Sequence, residues 1–266
     1  MGNVRYIGYP DMLSGTWTAS SEDSSYPVSN LAVYSNLRRR YKALVSGAIV
    51  NVTLDTGVGN TISGLAAVPG IFIDWSNFAS IKIQGNSVTT DWTTPPWNQA
   101  ATLTKERWTG RRKGFWKLSE LNAAAFAYRY LNVQIQNQAS DDGAAYFLSR
   151  VVIGSLTELT VNFAYEPRRK APQAVGILTR LDGSSQITQL GEPLMMVTMP
   201  RITRDTTSLN EQLDLERVSV DPFVFWDAGL GSSTESAWLM QRADPTELSQ
   251  RFDTMHNSSM AFQEVG

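Results

Sequence analysis

The chain has no cysteine, a single histidine and only 18% charged residues across 266 positions. Without cysteine there can be no disulfide staple, thiolate zinc site or cysteine nucleophile. The one histidine, His256, lies in Thr254-Met255-His256-Asn257 near the C-terminus. A Ser-His-Asp arrangement would need it to reach a distant nucleophile, so a surface or interface role is the default reading. No apolar run approaches the roughly 18–20 residues that cross a bilayer. Met1–Pro10 has no apolar stretch of the secretory type. The expectation is a soluble protein with no membrane span and no cleaved leader. A formal net charge of −2 gives no global field toward nucleic acid or an anionic membrane.

Uncharged polar residues fill the gap left by the scarce charges. The 42% hydrophobic content is enough for a real core. Eight Trp, nine Tyr and ten Phe have two readings, sheet packing or a contact surface for sugars or protein partners.

Short β-branched and aromatic runs alternate with turn residues. Ala48–Leu54, Ala79–Gln84, Gly114–Leu118, Tyr128–Gln136, Tyr146–Ile153 and Thr160–Tyr165 read as strands. A phase slip near Leu131 predicts a bulge. The first 46 residues read as mostly loop, Ile62–Val68 as a short apolar run stopped by Pro69-Gly70, and Asp91–Gln99 as a loop carrying Trp92 and Trp97. Pro167–Pro172, with two prolines around Arg168-Arg169-Lys170, is the candidate domain boundary. Beyond it Ala174–Leu181, Leu194–Met199, Gln212–Val220, Phe223–Trp226, Ser236–Arg242 and Ser259–Phe262 read as strand-like. The helical candidates are Ser119–Ala127 and Pro245–Phe252, the latter with Asp244 as cap. The sum is a mostly β protein, a sandwich or barrel.

Chemistry is hard to find. Gly57-Val58-Gly59 lacks the third glycine of a nucleotide fingerprint and reads as a turn. The acidic pairs Glu22-Asp23 and Asp141-Asp142 sit in turn-like sequence, which disfavours a glycosidase pair. Asp141 and Asp55 are available to a structural calcium, but no EF-hand spacing surrounds them. No catalytic residue, cofactor or metal ligand is assigned, and no enzyme is expected. Three basic clusters stand out: Arg38-Arg39-Arg40, Arg111-Arg112-Lys113 beside Trp108, Phe115 and Trp116, and Arg168-Arg169-Lys170. A protein interface ranks first for them, an anion or sugar ligand second and nucleic acid last. The candidate interface or glycan contacts are therefore Trp92, Trp97, Trp108, Arg111, Arg112, Arg38 and Arg39.

Tyr26-Pro27-Val28-Ser29-Asn30-Leu31, then Arg38–Ala43, then Val50–Gly57 resemble the opening of a discoidin-like (galactose-binding-like) jelly-roll domain. Ile62–Pro69, Ser76-Asn77 and Ile81-Lys82-Ile83 resemble its next strands. Tyr130–Gln136 and Phe147–Gly154, ending in Ile153-Gly154-Ser155-Leu156, resemble its closing ones. Pro222–Asp227, Ala237–Met240 and Ser258–Val265 are similar to the last strands of phage distal-tail or tail-tip proteins. The resemblance implies a discoidin-like jelly-roll β-sandwich with an N-terminal arm over 1–166, and a smaller β-rich C-terminal domain over 167–266. It also implies a virion component, assembled in the host cytoplasm, that forms an oligomeric ring with its own copies and contacts neighbouring tail proteins. The alternative it implies is a carbohydrate-binding module for host-surface glycan.

Overall fold

The computed structural model describes residues 4–32, 39–88, 91–106, 110–121, 126–160, 168–170, 175–179, 185–189, 196–203, 206–227, 236–243, 247–252 and 255–265, some of the later strands by backbone alone. In chain order the first strands are β1 (Val4–Ile7), β2 (Thr16–Ala19), β3 (Tyr41–Lys42), β4 (Val50–Asp55), β5 (Pro69–Ser76), β6 (Ser80–Asn86) and β7 (Trp97–Thr102). They continue as β8 (Thr104–Lys105), β9 (Arg112–Lys117), β10 (Tyr130–Ile135), β11 (Phe147–Ser155), β12 (Thr157–Glu158) and β13 (Arg168–Lys170). The last are β14 (Val175–Thr179), β15 (Ser185–Gln189), β16 (Met196–Thr203), β17 (Phe223–Asp227), β18 (Ala237–Arg242), β19 (Glu247–Phe252) and β20 (Met255–Glu264). The helices are α1 (Ile62–Leu65), α2 (Leu118–Leu121) and α3 (Thr206–Val218).

These strands make a mostly β protein whose centre is a jelly-roll sandwich. An outer sheet of order β2-β4-β10-β6-β7 faces a middle sheet of order β3-β11-β5-β9-β8, each five-stranded. A third, eight-stranded sheet runs β12-β1-β17-β18-β20-β16-β13, with β19 also on β20. Every pairing among the described strands is antiparallel, including those between strands far apart in sequence.

Burial explains the stacking order. Val50, Val52 and Leu54 of β4, Ile81 and Ile83 of β6, and Leu131, Val133 and Ile135 of β10 point inward at every second position. They meet Ile71 and Ile73 of β5 and Val151 and Ile153 of β11. The intervening residues of the middle sheet, Phe72, Phe115 and Val152, form another apolar layer with Ile7, Val224, Trp226, Ala237 and Leu239 of the C-terminal sheet. Because both its faces are covered, β5 is buried almost without a break. The far face of the C-terminal sheet (Val4, Tyr6, Phe223, Phe225, Trp238, Phe262) packs on Leu215 and Val218 of α3. Each fully buried side chain of this size contributes about 1.5–3 kcal/mol.

β1 lies between β12 and β17, with Arg5 opposite Glu158 on one side and Trp226 on the other. Segments 1–166 and 167–266 therefore share one sheet. β14 and β15 pair with each other and with no other described strand.

Several local expectations are corrected. Gln212–Val220 is the end of α3 and the turn after it, not a strand; Ser208, Gln212, Leu215, Val218 and Ser219 are buried at helical spacing. Ile62–Val68 begins with α1, because Thr61 caps it by accepting a hydrogen bond from the Gly64 amide at 3.1 Å. Pro245–Phe252 carries β19 rather than a helix, since Glu247, Leu248, Ser249 and Gln250 pair in turn with Ser259, Ser258, Asn257 and His256 of β20. β10 shows no bulge near Leu131; its register on β4 and β6 is unbroken from Tyr130 to Ile135. The first 46 residues, read as mostly loop, carry only the short strands β1, β2 and β3 among their described residues. Gly57 and Gly59 hold a turn at φ 94° and 81°, a backbone region that favours glycine. Thr160–Tyr165 falls largely outside the described residues.

Candidate functional site

Alternation on β4, β6, β7 and β10 sends one residue set into the core and the other onto the open face of the outer sheet. That open face is made of amides and hydroxyls. Register aligns Thr18, Thr53, Asn132, Gln84 and Asn98 in one row across all five strands. The next row is Asn51, Gln134, Lys82 and Ala100.

Several of these polar residues are buried although they do not face the core. Asn132 is 0% exposed and Gln84 1%. Their burial is tolerated because they bond one another. Asn132 Nδ2 donates to Asn51 Oδ1 at 2.9 Å and to Gln84 Oε1 at 2.8 Å, and its Oδ1 accepts from Thr53 Oγ1 at 3.2 Å. Gln134 Nε2 donates to Asn51 Oδ1 at 3.0 Å, and Gln84 Nε2 to Asn98 Oδ1 at 3.4 Å.

A groove of about 540 Å³ lies over this face, lined by Ile49, Asn51, Lys82, Gln84, Asp91, Trp92, Thr93, Asn98 and Gln134. Asn86 anchors the loop that forms its wall, donating from Nδ2 to the Asp91 carbonyl at 3.3 Å. Within that loop Asp91 Oδ1 accepts from the Thr93 amide at 3.0 Å, and this bond holds its carboxyl below the usual carboxylate range. At the adjoining margin Asp55 takes a bidentate pair from Arg129 at 2.6 and 2.7 Å and a bond from the Gly57 amide at 2.8 Å. The Arg129 bonds are the main reason its carboxyl is also held low.

The residues singled out from sequence fare differently. The expectation that Trp92 and Trp97 stand exposed on a loop is corrected. Trp97 begins β7, faces inward opposite Gly85 and packs edge-on against Phe126 at 4.8 Å. Trp92 is 8% exposed and borders the groove. Arg111, expected at a surface, is 4% exposed and stacks over Trp75 at 4.6 Å. Neighbouring Lys113 is buried too, with Nζ 2.7 Å from Glu106 Oε1. Both belong to the seam between the middle and C-terminal sheets, where a charge stays only if it is paired. Arg112 forms a bidentate pair with Asp141 at 2.8 and 2.9 Å, so Asp141 anchors a turn. Arg39 is exposed; Arg38 and Trp108 lie outside the described residues. Of the seven, Trp92 alone among the described residues borders the groove. Sequence reading missed Asn51, Gln84, Asn98, Asn132 and Gln134, although amides at alternate positions of several strands were the available signal.

No protein-family model matches the chain, and no curated protein does. Among solved structures, reduced XRCC1 bound to the DNA polymerase β catalytic domain is similar at 17% identity and a TM-score of 0.40, over 56% of this chain and 98% of that one. Chitosan-binding module 1 from the chitosanase/glucanase of Paenibacillus sp. IK-5 is similar at 16% identity and a TM-score of 0.36, over 56% of this chain and 98% of that one. Module 2 of the same enzyme, in complex with chitotriose, is similar at 13% identity and a TM-score of 0.36, over 53% and 97%. Likeness at this level assigns no ligand to the present chain.

Proposed function

We propose that this chain is a glycan-binding module whose site is the amide-lined face of the outer sheet. The observation that carries the reading is the groove lined by the accessible amides of Asn51 and Asn98, braced from beneath by the buried, mutually bonded Asn132 and Gln84. An amide presents donors and acceptors in one plane, which matches the paired donor and acceptor character of adjacent sugar hydroxyls. Fixing those amides in a network beforehand removes the ordering cost that a flexible polar surface would incur on binding.

Asn98 sits on the exposed rim of the row, so its removal tests the site without disturbing the core. In a glycan array followed by calorimetry, Asn98→Ala is expected to bind the best array ligand about tenfold more weakly, roughly 1.4 kcal/mol. Its stability should stay within about 0.5 kcal/mol of wild type. An array without a single hit would end this reading.

A second reading, a tail-tip or distal-tail hub in a phage virion, has its own supporting observation. The β14–β15 hairpin pairs with no other described strand, and a two-stranded ribbon is marginal alone in water. Edges that pair with no described strand suit strand addition from another copy or a neighbouring tail protein. On this reading mass photometry gives a discrete ring oligomer, and deleting residues 175–189 collapses it to monomer. A monomer at all concentrations, with or without the hairpin, would count against it.

A further inference from the structure

We propose that the glycan taken by the groove is acidic, with a carboxylate of the uronic acid type seated on Lys82. This rests on the glycan reading of the same groove. Lys82 lies on β6, an interior strand of the outer sheet, flanked in register by Gln134 on β10 and Ala100 on β7. Ala100, its neighbour in register on β7, carries only a methyl group and no acceptor.

The other lysines whose side chains are described each have a partner. Lys113, Lys117 and Lys105 have carboxylates at 2.7, 3.6 and 4.0 Å, and Lys42 sits over the Tyr26 ring at 5.7 Å. The Lys82 side chain has neither an ion pair nor a hydrogen bond among the described residues, although it lines the groove. Neighbouring amide oxygens already serve other donors. Asn51 Oδ1 accepts from both Asn132 and Gln134, and Gln134 Oε1 accepts from Gln136 Nε2 at 3.0 Å. This end of the groove thus offers a cation whose neighbouring acceptors serve other donors, a combination that favours an anion.

The groove's own carboxylate stands at the other end. Asp91 is tied to Asn86, four residues along β6 from Lys82, a separation of about 13 Å at the rise of a strand. Its negative charge repels a second anion there and accepts from hydroxyls. The two charges therefore orient the ligand: acidic group at Lys82, hydroxyl donors at Asp91, and the amide row between them.

The test is calorimetry with oligosaccharides of galacturonan, alginate and hyaluronan, each beside its carboxyl-reduced neutral counterpart, on wild type, Lys82→Met and Lys82→Arg. Wild type is expected to bind at least one acidic member about tenfold more tightly than its neutral counterpart, as one charge-assisted contact allows. The preference, read in each protein as the ratio of acidic to neutral affinity, should shrink with salt, vanish in Lys82→Met, and persist in Lys82→Arg. Equal affinity for acidic and neutral members, or a preference that survives Lys82→Met, overturns the acidic assignment and leaves the glycan reading standing. If no member of either series binds, and the array is blank as well, both fall together.

Discussion

Replacing Arg150 with methionine is expected to cost about 3–5 kcal/mol of folding stability, the range for breaking one side of a buried ion pair. Arg150 is 0% exposed on β11, directly across from Asp74 on β5. Its Nη1 lies 3.5 Å from Asp74 Oδ2, and Nη1 and Nη2 both donate to the Val265 carbonyl at 3.2 Å. Around it the seam holds Arg111, 3.9 Å from Glu264, and Lys113 on Glu106, which also accepts from Trp238 Nε1 at 3.4 Å. Burial pushes the Arg150 pKa down, and the Asp74 and Glu264 carboxylates oppose that shift. The methionine fills much of the same space, so the loss comes from stranding Asp74 and unbonding the Val265 carbonyl. Adding Asp74→Asn should recover part of it, because the stranded charge is then gone. Urea unfolding of the four proteins in this cycle measures both effects. Arg150→Met within about 1 kcal/mol of wild type would show that the pair contributes nothing net.

Gly154→Ala is expected to destabilise by about 1–3 kcal/mol, and by more than Gly70→Ala on the facing strand. Gly154 and Gly70 oppose each other in register on β11 and β5. A Cβ on Gly154 would sit 2.4 Å from the Asp11 carbonyl oxygen and 2.5 Å from Ile7 Cγ2. The obstacle is main chain, held by the Met12–Gly154 bridge and by the Leu13 amide donating to the Ile153 carbonyl at 2.7 Å. At Gly70 the added carbon would meet the Leu156 side chain at 2.8 Å, which can rotate away. Comparing thermal midpoints of the two variants decides it. Equal losses would mean that the segment after β1 yields as easily as a leucine.

Strands with one wet face were legible from sequence, because alternation in β4, β6 and β10 maps directly onto one buried side. Helix α3 was not. Its Leu213-Asp214-Leu215 alternates like a strand, and only the wider spacing of Ser208, Gln212, Leu215 and Ser219 gives the helical period. The groove stayed hidden for a related reason. Its residues are mostly uncharged and scattered over four strands, so only the register brings Asn51, Gln84, Asn98 and Asn132 together. Arg111 and Lys113 misled in the opposite direction. A basic run reads as surface unless the distant Glu264 and the nearby Glu106 are known to meet it.

The place of β1 constrains how the molecule can be made. Val4–Ile7 pairs with Val224–Asp227, so one edge of this pair is synthesised more than two hundred residues before the other. Both sheets of the jelly roll lie between them in sequence and can close on their own strands as they emerge from the ribosome. The nascent protein would then carry the outward face of its middle sheet, with Phe72, Phe115 and Val152, uncovered until the C-terminal strands arrive. During that interval the apolar face is open to chaperones and to neighbouring nascent chains. The final docking step joins residues more than two hundred positions apart, a closure that slows folding.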